Sequence, residues 1–295
     1  MEFIKYQQKE IPIAENLKGT AKNTSSNPKK RKAVKFNRMA NIASNLESFE
    51  TKLYKILETK KIEDKKIAYS VLLMLETGIR SGNEDSAEGY VCNIKNHPLI
   101  GQTIQTYGIT TLKKEHIKIE GDELKIEFLG KKAVEQNLIV KNPQLVKWGK
   151  WFLENSPNDT WLNIERKELK DWIKKTVGKN YMIKDFRTVR ANLTAGTTAE
   201  KLIHNPKTDK KKVVLGEVKE IVQSVADQLG NTPSISRSSY INPEILDWFI
   251  HKRMPKLLIE LRKKQKEKER KAKLRLKQKA KEAKLEAEAN KEKEQ

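Results

Sequence analysis

One cysteine, Cys92, stands among 295 residues. No internal disulfide can form, which excludes a disulfide scaffold and agrees with a reducing compartment. Nowhere is there a run of about 18 apolar residues that could span a membrane. The N-terminus also has no apolar signal-peptide core, so the expectation is an intracellular protein with no membrane partner: cytoplasmic, nucleoid-bound, nuclear or in a viral compartment. Acidic residues are in deficit, 39 Asp and Glu against 61 Lys and Arg, a formal net charge of +22. Such an excess favours a polyanionic partner, because cations that neutralise phosphates gain affinity by releasing counterions; nucleic acid is the default. With 37% hydrophobic and 34% charged residues, part of the chain must be solvated tail.

The charge is uneven. Lys18 to Arg38 carries eight Lys and Arg and no acid, spaced by Gly, Ser, Asn and Pro, and reads as a flexible basic arm. Glu260 to Gln295 holds 15 Lys and Arg against 8 Asp and Glu, with no Gly or Pro, and reads as a frayed single helix; sustained apolar heptads are absent. These two segments hold +15 of the +22.

Between them lies a foldable body. From Phe36, apolar residues recur at spacings of three and four through Met39, Ile42, Leu46, Phe49, Leu53, Ile56 and Leu57, which describes one helix face. A second helix is expected from about Glu63 to Thr77, broken by Gly78. Ile117 and Ile119, then Leu124, Ile126 and Phe128, alternate around Gly121-Asp122, a pattern for strands joined by a type II′ turn. A third strand, Val134 to Val140, would return after Gly130-Lys131-Lys132 and leave Lys131 at a hairpin tip. The remainder reads as helices: a Leu145, Trp148, Trp151 and Phe152 face, Leu162 to Val177, and Val213 to Leu229. Asp85 to Thr106 reads as a loop insertion; Cys92 and His97 within it are too few for a closed zinc site, which takes four ligands. No metal site is expected.

Taken singly, an arginine after Gly78, a lysine at a hairpin tip and a tyrosine after a Ser-rich turn are ordinary surface and packing residues. Taken together they carry more. The run Leu229-Gly230-Asn231-Thr232-Pro233-Ser234-Ile235-Ser236-Arg237-Ser238-Ser239-Tyr240 resembles the nucleophile segment of type IB DNA topoisomerases of the poxvirus and bacterial kind. Thr77-Gly78-Ile79-Arg80, Phe128-Leu129-Gly130-Lys131-Lys132 and Lys184-Asp185-Phe186-Arg187-Thr188 resemble that family's first arginine motif, lysine hairpin and second arginine motif. Phe36-Asn37-Arg38-Met39 is similar to the segment leading into its catalytic domain, and Tyr107-Gly108-Ile109-Thr110-Thr111-Leu112 resumes the likeness after the insertion.

The resemblance implies an α+β fold, mostly α-helical, like the catalytic domain of DNA breaking-rejoining enzymes, with a small three-stranded antiparallel sheet. It implies a basic arm over 1–34, a catalytic domain over 35–253 and a charged helical or disordered tail over 254–295. The relatives usually carry a small β-rich domain ahead of the catalytic one; here it is missing or reduced to a remnant. The implied substrate is double-stranded DNA, met by a monomer without cofactor, ATP or metal. In the implied reaction Tyr240 attacks a phosphodiester and becomes linked to the 3′ phosphate, Arg80 and Arg187 hold the non-bridging oxygens, Asn231 adds a neutral donor, and Lys131 protonates the departing 5′ oxygen. Lys132, Lys184 and Tyr107 are the implied DNA contacts. Alternatives are a tyrosine recombinase, whose usual His-x-x-Arg and Leu-Gly-His motifs are here Lys184-Asp185-Phe186-Arg187 and Leu229-Gly230-Asn231, and a non-catalytic basic DNA-binding protein.

Overall fold

The computed structural model describes residues 28–293 and opens with helix α1 (Pro28–Ser44). The last residues of the basic arm expected over 1–34 thus lie in a helix, and residues 1–27 lie outside the described residues. Helix forms this early because proline's preset φ suits a first helical position and because Phe36, Met39 and Ile42 dock into the core. The single apolar face expected from Met39 to Leu57 is split at Asn45, whose side-chain amide turns back to the Asn41 carbonyl at 2.9 Å. Such local bonding competes with helix continuation, and α2 (Leu46–Leu57) starts afresh.

Helix α3 (Ile62–Thr77) is the centre of the larger core. The expectation was a helix with one inward face. Instead, every residue from Ala68 to Leu75 is at most 2% exposed, the mark of a helix enclosed on all sides. Its buried hydroxyls are satisfied: Tyr69 donates to the Leu145 carbonyl at 2.9 Å and Ser70 to that of Lys66 at 2.9 Å. Gly78 ends the helix in the left-handed region at φ +74°, where a side chain would be strained.

The segment read as a loop insertion over 85–106 contains short regular elements. A helical turn α4 (Glu84–Glu88) leads into strands β1 (Tyr90–Val91) and β2 (Thr103–Ile104), which pair antiparallel with Tyr90 opposite Ile104. The sheet proper follows: β3 (Ile117–Glu120), β4 (Glu123–Gly130) and β5 (Val134–Val140), antiparallel in that order. The β3–β4 loop is Gly121-Asp122, with only the glycine at positive φ (+56°), as the II′ turn requires. Leu124, Ile126 and Phe128 point inward from β4.

Helix α5 (Pro143–Asn155) covers the sheet, burying Leu145, Trp148 and Phe152. Helix α6 spans Arg166–Thr176, not Leu162 to Val177. Trp161 and Leu162 are buried ahead of it, and Glu168 caps the backbone N–H of Glu165 at 2.9 Å, fixing the helix start there. Helix α7 (Ile183–His204) joins two cores. Its first part gives Phe186 and Val189 to the larger cluster, and its Ala191, Ala195 and Ala199 line a second one. Those small side chains let α8 (Lys211–Leu229) pack closely. The second core also takes α9 (Pro243–Arg253), through Ile245, Trp248 and Phe249, and the first turn of α10 (Pro255–Lys293). Leu257 and Leu258 are 2% and 6% exposed, so the tail helix starts docked on the second core.

Candidate active site

Two helices end at the same place, and one buried cation is clamped between them. Arg187, in the second turn of α7, is 3% exposed. Its guanidinium donates to the carbonyl of Gly78, at the end of α3, and to that of Leu229, at the end of α8, at 2.5 Å for the latter. Unpaired carbonyls at a helix C-terminus carry partial negative charge and suit a cation. Gly78 and Leu229 also touch: a Cβ at Gly78 would lie 2.6 Å from Leu229 Cδ2. The junction places Arg80, two residues beyond Gly78, next to Asn231, two beyond Leu229. Arg80 Nη2 donates to Asn231 Oδ1 at 2.8 Å, and its Nη1 donates to the Tyr240 hydroxyl at 3.2 Å.

Tyr240 arrives by a short, locally specified path. Gly230, at φ +55°, closes α8, and Thr232 Oγ1 caps the turn Pro233–Ile235 by accepting from Ile235 N at 3.3 Å. A single π-type turn, Ser236–Tyr240, follows, closed by the bond from Ile241 N to the Ser236 carbonyl; such turns re-aim side chains and occur often at functional sites. Asn192 on α7 holds this segment at both edges, with Nδ2 donating to the Tyr240 carbonyl at 3.0 Å and Oδ1 accepting from Asn242 N at 2.7 Å. Helix α7 thus supplies both Arg187 and the clamp of the tyrosine backbone. Its own start is fixed by Arg38 of α1, 8% exposed, whose guanidinium bonds both carboxylate oxygens of fully buried Asp185 at 3.0 and 3.2 Å. Lys35, one turn before Arg38, donates to the Ser239 carbonyl and lies 5.2 Å from the Tyr240 ring centroid. Sequence reasoning missed Lys35, Asn192 and Asp185 as site supports; the signals available were the quoted runs Phe36–Met39, which holds Arg38, and Lys184–Thr188, which holds Asp185.

Electrostatics at the phenol are a contest. Burial pushes the Tyr240 pKa up, while the charges of Arg187 and Arg80 and their hydrogen bonds pull it down, and the pull wins: the hydroxyl sits below the ordinary tyrosine value. The Arg187 guanidinium is 5.5 Å from the Tyr240 ring centroid. Burial, and then repulsion from Arg80, brings its pKa down to about 10, against an opposing contribution from Tyr240, so it remains cationic at neutral pH. Asn231 Nδ2 and Arg187 Nε are buried donors with no acceptor. Unpaired buried donors are costly and need an explanation; two of them beside a phenol and two guanidiniums suit an anion.

Lys131 is placed differently. It is the first residue of the loop between β4 and β5, exposed, with no hydrogen bond or ion pair among the described residues. The next residues, Lys132 and Ala133, have φ +66° and +55°, a conformation unfavourable for side-chain-bearing residues. The neck of this hairpin meets the Asn231 turn: the Gln136 amide nitrogen would be 2.3 Å from a Cβ on Gly230, and Gln136 Cγ 2.9 Å from one on Gly130. Lys132 and Lys184 are exposed. The Tyr107 ring is 8% exposed and packs 4.4 Å from the His116 ring centroid, with its hydroxyl donating to Gln105 at 2.7 Å. The ring belongs to the larger hydrophobic core. No group of three or more His, Cys, Asp or Glu among the described residues could hold a metal ion, and no helix there is long and apolar enough to cross a membrane.

Fold and site together define a mostly helical catalytic core with a tyrosine between two arginines. Residues 17–274 match the family described as eukaryotic DNA topoisomerase I, catalytic core, and the chain belongs to that family. It is 26% identical over 174 residues to DNA topoisomerase 1B of Acanthamoeba polyphaga mimivirus, covering 53% of this chain and 50% of that one. Against DNA topoisomerase 1B of Vaccinia virus (strain Copenhagen) it is 31% identical over 150 residues, 48% and 45% of the two chains. With DNA topoisomerase 1 of Rabbit fibroma virus (strain Kasza) the identity is 30% over 152 residues, 50% and 46%. The chain spans about half the length of the curated relatives it matches.

Proposed function

We propose that this protein is a type IB DNA topoisomerase that relaxes supercoiled double-stranded DNA by cutting and resealing one strand. The observation that carries the reading is the Arg80–Tyr240–Arg187 centre, with Arg80 bonded to both the Tyr240 hydroxyl and Asn231. Tyr240 attacks a backbone phosphorus, and the 5′ oxygen leaves as the phosphotyrosyl bond to the 3′ phosphate forms. Arg80 and Arg187 stabilise the charge gathering on the non-bridging oxygens, and the unpaired Asn231 Nδ2 adds a neutral donor. Since the arginines already face the phenol, little reorganisation is required when charge develops. Lys131 is the general acid for the 5′ oxygen, and Lys132 and Lys184 contact the backbone. Because one ester replaces another, bond energy is conserved and resealing needs no ATP. The free strand swivels about its partner while the covalent link lasts. The protein acts as a monomer and resides where DNA does.

Incubating the protein with supercoiled plasmid in EDTA, without ATP, tests this directly. Relaxed circles and a denaturant-trapped covalent adduct are expected, both abolished by Tyr240→Phe. Unchanged supercoils together with a mobility shift would replace the reading with that of a non-catalytic DNA-binding protein. An adduct persisting in Tyr240→Phe would move the nucleophile elsewhere.

A further inference from the structure

The ordered segment at Gly89–Ile104 has no part in the chemistry above, yet it has its own small core. Cys92 is fully buried and Ile104 is 7% exposed, and the third buried member of their cluster is Ala133, also 7% exposed. Tyr90, Ile94, Leu99 and Leu129 pack around them. Ala133 and Leu129 are not part of this segment. They flank the loop that carries Lys131. The cluster is separate from both main cores, so the tip of the lysine hairpin packs against this segment and not into the body of the protein. The backbone agrees: Tyr107 N, just after β2, donates to the Leu129 carbonyl at 2.8 Å, while Cys92 exchanges bonds of 2.9 and 2.8 Å with Gln102 and Gly101.

Charge gives the segment little grip on DNA: over residues 89–104 Lys95 is the one formally charged side chain, in a chain of net +22. The hairpin, for its part, needs support, since Lys132 and Ala133 both occupy the left-handed region. Conformations of this kind persist where surrounding structure over-determines them.

We propose that residues 89–104 are a brace that holds the lysine hairpin in its working shape before DNA arrives, with Ile104 and Cys92 acting through Ala133 as positioning residues for Lys131. This rests on the reading of Lys131 as general acid. A loosened brace leaves Tyr240 and both arginines untouched but spreads Lys131 over many positions, so it slows only the step that needs a proton delivered to the leaving oxygen.

The test uses the full chain with Ile104→Ala and, as a milder change, Ala133→Gly. Glycine relieves the backbone at φ +55° while removing the methyl that enters the brace, so a purely structural role predicts no loss. Single-turnover cleavage is measured on ordinary DNA and on DNA with sulfur in place of the bridging 5′ oxygen, whose departure needs no proton. Both variants should slow cleavage of ordinary DNA by on the order of tenfold, with less than about twofold change on the sulfur substrate. In the free protein, tryptic cutting after Lys131 and Lys132 should accelerate by about tenfold as the loop opens locally. Equal slowing on both substrates, or no slowing on either with unchanged trypsin sensitivity, would overturn the brace. Lys131→Ala is the control. If sulfur fails to rescue it, the general-acid reading falls, and trypsin sensitivity then decides the brace alone: accelerated cutting upholds it and unchanged cutting sinks it.

Discussion

The arginine centre and the lysine hairpin are held under opposite structural conditions. Arg187 is 3% exposed and ties together the ends of α3 and α8 through two carbonyls. Lys131 is exposed, with no partner among the described residues, on a loop with two successive left-handed residues. Groups that stabilise charge on non-bridging oxygens are needed in the same place throughout the reaction, so the fold can bury them and use them as helix caps. A proton donor to a departing oxygen must reach a group that moves away, and on the proposed reading of Lys131 an exposed hairpin suits that task. Preorganised charge costs no rearrangement when the transition state forms, whereas acid catalysis depends on a contact completed in the complex with substrate.

Removing the acid separates the two regions most sharply. Lys131→Ala should slow single-turnover cleavage of ordinary DNA by roughly 10²–10⁴-fold and cleave the 5′-sulfur substrate at near the wild-type rate. Equal impairment on both would mean that Lys131 binds phosphate, and Lys132 or Lys184 would be the next acid to test. Arg187→Ala should cost about 10²–10³-fold on both substrates, without rescue. It should also lower the melting temperature, because the Gly78 and Leu229 carbonyls lose their partner. Arg187→Lys should recover little, since one ammonium cannot span two carbonyls and face the phenol.

A titration reads the arginine side directly. The ultraviolet difference between wild type and Tyr240→Phe should reveal a phenol ionising below the ordinary tyrosine range, and Arg80→Ala should move it upward. The sign follows from the lowered value in the folded state. The anion is favoured by the fold, so its stabilising contribution is present above the ordinary tyrosine pKa and is lost as pH falls through the depressed one. An unmoved titration in Arg80→Ala would remove that arginine from the contest. Gly230→Ala tests the seam between the two regions. Positive φ and the approach of Gln136 should cost about 1–3 kcal/mol in denaturant unfolding, and wild-type stability would show that the seam yields. The smallest effect on chemistry should come from the tail. Deleting residues 263–295, which takes away 14 Lys and Arg and 7 Asp and Glu, should weaken DNA binding and flatten its salt dependence while cleavage at saturating protein survives. An unchanged slope of log affinity against log salt would place the electrostatic affinity in the body.

Much of this was legible because it is local. Gly78 as a helix stop, Gly121 in its hairpin turn, Lys131 at a tip and the helix α8 follow from residue conformational preferences and periodicity, which act over a few neighbours. Arg80, Arg187, Asn231 and Tyr240 were visible as motif residues, and the fold does bring these four together. Periodicity says that a side chain is buried but not what it meets. For that reason the 85–106 segment was read as a loop insertion with no core of its own, and α3 as a helix with one inward face.

What the tertiary structure alone decided are the meetings between distant residues. The Arg187 clamp spans 109 residues to Gly78 and 42 to Leu229. Asn192 reaches across 48 residues to Tyr240, and Arg38 across 147 to Asp185. Nothing near Asn192 in the chain marks it, and the motif that contains Asp185 does not reveal its partner, because both roles are set by what α7 meets once the two cores have packed around it. The sequence by itself determined the parts, through local sterics and hydrophobic spacing; the convergence of two helix ends on one guanidinium came only from long-range packing, where the burial of Arg187 made the choice of partner carbonyls obligatory.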